Sequence, residues 1–343
     1  MTTMVPRWLA ALWLGALLAA GGGGGAIAAE PALPEELGGR AFSDPRAVMP
    51  MPESWRRQAI TRPAGENGKA ADLALALDQQ IYPALLPLVR KFAADNHVTI
   101  ATQEGTCGLA SGALADRSAD ITAMCCPPAD TDRMPGVRYH TIGIAAVALI
   151  VHPSNPVENL SLAEARRLFG GSVTSWADLP VSGFRAAAGE PVRVVSRLHC
   201  SLRPGHWRLL LPNADAFSPE ALDVPAIVDM IQRVSQSETA IGYETLWHVN
   251  RYAEQGRVRT VRLDGHSPAD TAAVAAGKYP IYRVFNISSW TEEPAKNALA
   301  ERLAQYLVAH AGDIDPVYGI VPASRLRQLG WKFLDDELVG EPR

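Results

Sequence analysis

Beyond about residue 70, short apolar runs alternate along the chain with segments whose apolar residues have helical spacing. In one segment, Leu85, Leu88, Val89 and Phe92 recur at intervals of three and four, which places them on one helix face. The apolar runs predict strands at Leu73–Leu77, Val98–Ala101, Ile121–Met124 and Ile142–Val151. The helical spacing predicts helices at Tyr82–Asn96, Leu109–Arg117, Leu162–Phe169, His206–Leu211, Pro225–Ser235 and Ala295–His310. This alternation favours α/β layers around a mostly parallel sheet.

The first thirty residues have the pattern of a secretory signal peptide. Arg7 supplies a positive charge, Trp8 to Ala20 form an apolar run, and Ala26-Ile27-Ala28 resembles a cleavage site. The apolar run is shorter than the ~20 residues that a membrane helix needs, which disfavours the alternative of an uncleaved anchor. We therefore expect residues 1–28 to be removed on export, near Ala28, and the mature protein to be periplasmic.

Residues 29–68 are rich in proline and show little periodicity, so we interpret them as an extended N-terminal arm. The whole chain has 343 residues, 48% of them hydrophobic and 20% charged, which is typical of a globular protein of about two domains. It carries 32 Lys and Arg against 36 Asp and Glu, a net charge of −4, without a block of like charge. This balance does not predict a nucleic acid or an anionic membrane as partner.

All four cysteines lie in three loops of the alternating region. The loops are Gly105–Gly108, Met124–Pro127 and Arg197–Ser201. In open α/β sheets, ligands bind beyond the carboxyl ends of the strands, where such loops lead into helices. The placement of every cysteine in these loops predicts a binding site that contains thiols.

At these loops the chain resembles the extracytoplasmic solute-binding proteins of ABC transporters, and in particular their phosphate-binding branch. A glycine-rich turn opening a helix, the end of the following strand, and a hinge-like apolar segment are similar in kind and order. Further similar segments lie between them and near the end of the chain. The segments that carry the resemblance are Gly105–Gly112, Ala119–Cys126, Asn155–Val157, Leu160–Leu179, Ala240–Tyr243, Tyr279–Arg283 and Gly319–Pro322.

The resemblance implies the two-lobed periplasmic-binding-protein fold, often called a Venus flytrap. Two three-layer α/β lobes would be joined by a two-stranded hinge and would close on a ligand. Residues 69–148 together with 282–343 would form lobe I, and residues 149–281 would form lobe II.

Phosphate binders of this family hold the anion with hydroxyl groups, backbone N–H groups, an arginine and an aspartate. By resemblance, Cys107 replaces a serine, Cys125 or Cys126 replaces the aspartate, and Cys200 replaces a glycine. Arg197 and Ser201 match the family pattern, whereas an arginine, Arg203, stands where the family has threonine. The site residues that the resemblance implies are Gln79, Thr106, Cys107, Cys125, Cys126, Arg197, His199, Cys200, Ser201 and Arg203.

Replacing hydroxyl groups by thiols changes the ligand that the loops favour. A thiol is a weak hydrogen-bond donor but a good ligand for soft ions once it is deprotonated, and the start of a helix lowers a thiol pKa. We therefore expect Cys107, Cys126 and Cys200 to bind a thiophilic ion or metalloid, such as Cu(I) or trivalent arsenic or antimony. No other cofactor is expected.

Two alternatives stay open. Disulfides are the usual state of cysteines in an exported protein, and they would leave Arg197 and Arg203 to bind an oxyanion such as phosphate. Of the possible pairs, Cys125–Cys126 is the most strained. A redox-active protein, or a thiol enzyme with Cys107 or Cys200 as nucleophile and His199 as base, is the other alternative.

The function that we expect is therefore capture of a small inorganic ligand by a monomeric, non-enzymatic binding protein. The protein would deliver the ligand to an ABC transporter permease or present it to a membrane sensor kinase.

Overall fold

The computed structural model describes residues 42–63, 70–179, 191–198 and 206–342. The predicted signal peptide, residues 29–41 and 64–68 of the arm, and His199, Cys200, Ser201 and Arg203 lie outside the described residues. No helix within these ranges is long and apolar enough to cross a membrane.

The strands and helices alternate over most of the chain. The strands are β1 (Leu73–Asp78), β2 (Ile100–Gly105), β3 (Ile121–Met124), β4 (Val137–Val151), β5 (Asn159–Leu160), β6 (Arg193–Ser196), β7 (Leu222–Asp223), β8 (Ala240–Thr245), β9 (Arg259–Leu263), β10 (Tyr282–Trp290), β11 (Val321–Pro322), β12 (Lys332–Leu334) and β13 (Glu337–Gly340). The helices are α1 (Glu53–Arg56), α2 (Tyr82–Asn96), α3 (Cys107–Ala115), α4 (Leu162–Phe169), α5 (Ile227–Ser235), α6 (Leu246–Arg251), α7 (Thr271–Ala275), α8 (Ala298–Ala309) and α9 (Ala323–Gln328).

The large sheet has the strand order β2-β1-β3-β10-β4-β8-β6-β7. Its two flanks are parallel, with β1 between β2 and β3 on one side and β6 between β8 and β7 on the other. The centre is antiparallel, because β10 pairs with β3 and β4, and β4 pairs with β8. The fold is thus a mixed α/β structure, and the prediction of a mostly parallel sheet is wrong for its centre.

The long strand β4 connects two hydrophobic cores. Its first part pairs with β10 and contributes Ile142 to a core that includes Leu77, Leu85 and Phe285. Its second part pairs with β8 and contributes Ile150 to the second hydrophobic core. The lobe boundaries drawn from the sequence remain a prediction.

Most predicted elements agree closely with the structure. The helices Tyr82–Asn96 and Leu162–Phe169 and the strand Ile121–Met124 have the predicted bounds. The strand predicted at Val98–Ala101 instead spans Ile100–Gly105. The helix predicted at His206–Leu211 is only a 3-10 turn, His206–Leu209. Pro212 follows this segment directly and disfavours a helical conformation in the residue before it.

The described part of the N-terminal arm packs against the body of the protein. Trp55 is buried, and its ring centroid lies 5.8 Å from that of Trp290. The guanidinium of Arg62 donates two hydrogen bonds to the fully buried carboxylate of Asp120, at 2.6 and 2.8 Å. This ion pair anchors the arm to the body of the protein.

Candidate functional site

The sheet topology brings three chain segments to one edge. Strands β1 and β3 are parallel neighbours, so their carboxyl ends lie at the same edge. Asp78 ends β1, and Cys125 and Cys126 directly follow β3. Strand β10 runs antiparallel to β3, so it begins at this edge, where Arg283 is its second residue.

Cys107 reaches the same edge because helix α3 begins there. Its N-cap is Thr106, whose hydroxyl accepts a hydrogen bond from the backbone N–H of Leu109 at 3.3 Å. Thr106 was predicted to bind the ligand, and in the structure its hydroxyl caps the helix. The cap places Cys107 in the first turn, with its side chain buried.

The three cysteine side chains form a compact cluster. The Sγ atoms of Cys107 and Cys125 are 3.1 Å apart, and those of Cys125 and Cys126 are 3.8 Å apart. All three sulfur atoms lie within 4.8 Å of one another, and each residue is at most 1% exposed. Two of the three predicted metal ligands, Cys107 and Cys126, are thus brought together, and Cys125 joins them.

This donor set fits a soft ion. Sulfur ligands bound at about 2.3 Å to a tetrahedral ion are about 3.8 Å apart, which is the separation of Cys125 and Cys126. The closer pair, Cys107 and Cys125, is 3.1 Å apart and would have to separate by about 0.7 Å to reach that distance. Thiolates select soft metals over hard ones such as Mg²⁺ and Ca²⁺.

Asp78 contacts the cluster and is itself buried. It forms a hydrogen bond with the side chain of Cys107. Burial, followed by the charge of Cys125, raises the pKa of Asp78 well above its ordinary value. Burial therefore makes this carboxyl group a weaker acid than an ordinary aspartate.

A buried ion-pair network adjoins the thiols on the other side. The Nη1 of Arg283 donates to the Sγ of Cys125 at 3.5 Å, and its Nη2 lies 3.2 Å from the Oε1 of Glu244. The other carboxylate oxygen of Glu244 lies 2.9 Å from the Nη2 of Arg197. The network connects a residue beyond β6 with the cysteines beyond β3, and thereby brings the predicted site residue Arg197 near the cluster.

The backbone and neighbouring side chains hold this network in place. The hydroxyl of Tyr243 accepts a hydrogen bond from the N–H of Arg197 and donates one to its carbonyl oxygen, at 3.0 and 3.1 Å. Burial opposes ionisation of Glu244, but Arg197 and Arg283 outweigh it and hold the pKa of Glu244 well below its usual range. Glu244 is therefore a permanent buried anion.

A cleft of about 350 Å³ lies beside the network. The predicted site residue Gln79 lines it, together with Tyr82, Trp247 and His248. The Nδ1 of His248 lies 3.5 Å from the Oε1 of Glu244, so one side chain faces both the cleft and the buried charges. Burial, as the largest influence, lowers the pKa of His248, which favours the neutral imidazole.

Gln80, next to Gln79, is buried with both of its amide atoms lacking a hydrogen-bond partner in the structure. Its backbone N–H donates to Asp78 at 2.8 Å, which fixes the turn at the edge where the thiols lie. Buried polar side chains normally have a hydrogen-bond partner. The unpaired amide of Gln80 beside the candidate site is therefore a candidate for a hydrogen bond to a bound ligand.

Arg283, Glu244 and Gln80 are site residues that no sequence pattern predicted. Arg283 and Glu244 are single charges within strands that are otherwise fully buried, β10 and β8. A lone charge in an apolar strand is the signal that points to them, because a buried charge requires a partner. Their mutual pairing depends on contacts between distant strands.

Comparison with known proteins agrees with this architecture. The family model of the PBP superfamily domain matches residues 62–310. The chain therefore belongs to the PBP superfamily, the class of periplasmic binding proteins.

Within this superfamily the chain is similar to phosphate-binding proteins. It is 24% identical over 250 residues to the phosphate-binding protein PstS of Bacillus subtilis, covering 71% of this chain and 77% of the relative. It is 26% identical over 130 residues to PstS of Pseudomonas aeruginosa. That match spans 36% of this chain and only 38% of the length of the relative.

Two solved structures with a similar fold are also of proteins assigned to phosphate transport. One is a Clostridium perfringens protein assigned to phosphate ABC transport and solved with bound phosphate; its TM-score is 0.61 at 19% identity, covering 73% of this chain and 98% of that one. Another is an ABC-type phosphate transport receptor from Vibrio cholerae, with a TM-score of 0.58 at 18% identity, covering 73% and 99%. At these identities the likeness establishes the fold, which is the two-lobed one predicted from the sequence.

Proposed function

We propose that this chain is an exported, non-enzymatic solute-binding protein that captures a thiophilic ion or metalloid at the cluster of Cys107, Cys125 and Cys126. Cys200, which the sequence predicts as a ligand, would join or replace one of them. The periplasm is the proposed compartment, and an ABC transporter permease or a membrane sensor kinase is the proposed partner. The protein would act as a monomer.

The observation that carries the proposal is the approach of three sulfur atoms to within 4.8 Å of one another at the edge of the sheet. Buried cysteines also occur as small apolar residues in cores. Here the three cysteines border a hydrophobic core, but Cys125 also contacts a buried guanidinium and Cys107 a buried carboxyl group, which a purely apolar role would not require.

Because the three residues are at most 1% exposed, binding and release require the protein to open. Hinge closure around a ligand is the motion expected of periplasmic binding proteins. Cu(I) would displace one proton from each thiol that binds it as thiolate. Arsenite would exchange three hydroxyl groups for three sulfur atoms, and the three thiol protons would leave with these groups as water.

The test is titration of the reduced, full-length mature protein, under exclusion of oxygen, with Cu(I), arsenite and inorganic phosphate in separate experiments. We expect about one Cu(I) or arsenite per chain, and proton release with Cu(I). Cys107→Ser, Cys125→Ser and Cys126→Ser should each weaken this binding, with thermal unfolding as a check of the fold. Binding of neither probe by the reduced wild-type protein contradicts the proposal.

A second candidate function is oxyanion binding with the cysteines in a structural role. The buried guanidinium groups of Arg197 and Arg283 favour it, as do the phosphate-binding relatives. In this case phosphate should bind to the wild-type protein, and the three Cys→Ser variants should bind it unchanged. The same set of titrations therefore separates the two functions.

A further inference from the structure

The guanidinium groups of Arg197 and Arg283 are arranged around one internal carboxylate. Glu244 gives one oxygen to each arginine, at 2.9 and 3.2 Å, and all three side chains are at most 3% exposed. Planar guanidinium groups are favoured ligands of divalent oxyanions because their paired N–H donors match the oxygens. Here a nitrogen of each arginine is already directed at an anion that belongs to the protein.

Glu244 is fixed in this position by its own strand. Its Oε1 accepts a further hydrogen bond from the backbone N–H of Thr245 at 2.9 Å. The hydroxyl of Thr245 and the Nδ1 of His248 are 2.8 Å apart, which holds the imidazole beside the carboxylate. The two guanidinium groups and the one carboxylate have a combined formal charge of +1 instead of +2.

We infer that Glu244 is a specificity-determining residue, which excludes divalent oxyanions such as phosphate and sulfate from the thiol site. This inference rests on the proposed function, because it names the charge class of the ligand at that site. An incoming dianion near the arginines would meet the buried carboxylate, and like charges repel strongly where water is excluded.

The same carboxylate would favour a soft cation. Arg283 lies between Glu244 and the thiol of Cys125, at 3.2 and 3.5 Å from their respective atoms. Without Glu244, two uncompensated guanidinium charges would repel a cation held by the cysteines. A single buried residue thus disfavours one class of inorganic ligand and favours the other.

The experiment compares wild-type protein with Glu244→Gln, which keeps the side-chain shape and removes the charge. Binding of phosphate, sulfate and Cu(I) to the reduced full-length mature protein is measured by equilibrium dialysis. We expect Glu244→Gln to bind phosphate and sulfate at least about tenfold more tightly and Cu(I) at least about tenfold more weakly. Glu158→Gln removes the same charge at an exposed position and should change none of these affinities.

Unchanged phosphate affinity in a folded Glu244→Gln protein overturns the inference. Micromolar binding of phosphate by the wild-type protein overturns it without any variant, so the result does not depend on the folding of Glu244→Gln. If no form binds Cu(I) or arsenite but Glu244→Gln gains phosphate binding, the proposed function fails while the role of Glu244 stands.

Discussion

The guanidinium of Arg283 lies between the thiol of Cys125 and the carboxylate of Glu244, with its Nη1 3.5 Å from the sulfur. Arg283 is completely buried and stands on the strand next to β3, after which Cys125 follows. Burial alone would lower the pKa of Arg283, but Glu244, and then the nearby thiols, raise it above its ordinary value. Arg283 therefore joins the thiol cluster to the ion-pair network as a permanent cation.

Replacing Arg283 by methionine should strongly destabilise the protein. The substitution keeps much of the side-chain volume but leaves the buried Glu244 with fewer partners, and breaking a buried ion pair costs about 3–5 kcal/mol. Urea unfolding of the reduced protein measures the loss. Arg262→Met, which breaks an exposed pair with Glu158, should cost less than about 1 kcal/mol. Equal effects of the two substitutions would contradict this account of Arg283.

The predictable part of the site comes from local pattern. Cys125 directly follows the apolar strand β3, Cys107 opens the helix after β2, and loops at the carboxyl ends of parallel strands converge at one edge. Periodicity likewise predicts α2 and α4 to the residue, because each presents one continuous apolar face.

The unpredicted part depends on pairing between distant strands. The antiparallel placement of β10 between β3 and β4 joins residues more than a hundred positions apart, and this register places Arg283 near Cys125. No local pattern in the sequence specifies that register. The local pattern at His206–Leu211 predicts a helix, but the segment is too short to stabilise one. It forms only the 3-10 turn His206–Leu209.

Mild oxidation should join Cys107 and Cys125. Their sulfur atoms are 3.1 Å apart and need to approach by about 1 Å to reach the length of a disulfide. Treatment with diamide, which accepts the two thiol hydrogens, should lower the intact mass of the chain by about 2 Da, and dithiothreitol should restore it. Peptide mapping identifies the pair. A disulfide from Cys107 to Cys200, with Cys125 still alkylated by iodoacetamide, would show that another pairing is preferred.

The stability of the protein should fall between neutral and mildly acidic pH in part because of His140. This side chain is buried, with its Nδ1 3.0 Å from Asp336 and its Nε2 2.9 Å from Ser289. Burial, opposed by Asp336, lowers the pKa of His140 below its ordinary value of 6.5. The unfolded chain then takes up a proton at a higher pH than the folded protein, so stability is lost as the pH falls below about 6.5.

The measurement for His140 is urea unfolding at a series of pH values from 8 to 5, an interval of about three units around the ordinary histidine pKa. His140→Gln should be less stable than the wild type at pH 8, because it disturbs a buried contact, but it should lose less further stability on acidification. Parallel pH profiles for the two proteins would rule out His140 as a source of the pH dependence.

Replacing Gln80 by methionine should stabilise the protein and weaken ligand binding at the same time. Both amide atoms of Gln80 are buried without a hydrogen-bond partner. Burying an unpaired polar group typically lowers the free energy of unfolding of a protein by about 1–3 kcal/mol. Methionine has a similar shape and no amide, so the free energy of unfolding should rise by about 1 kcal/mol. If the unpaired amide forms a hydrogen bond to the ligand, Gln80→Met should also lower the affinity for the probe that the wild-type protein binds.

Gln79→Met is the matched control for stability. Gln79 is only half-buried at the adjacent position, so its replacement should shift the free energy of unfolding by less than about 0.5 kcal/mol. Greater stability with unchanged affinity would show that Gln80 is a tolerated structural defect and not part of the site.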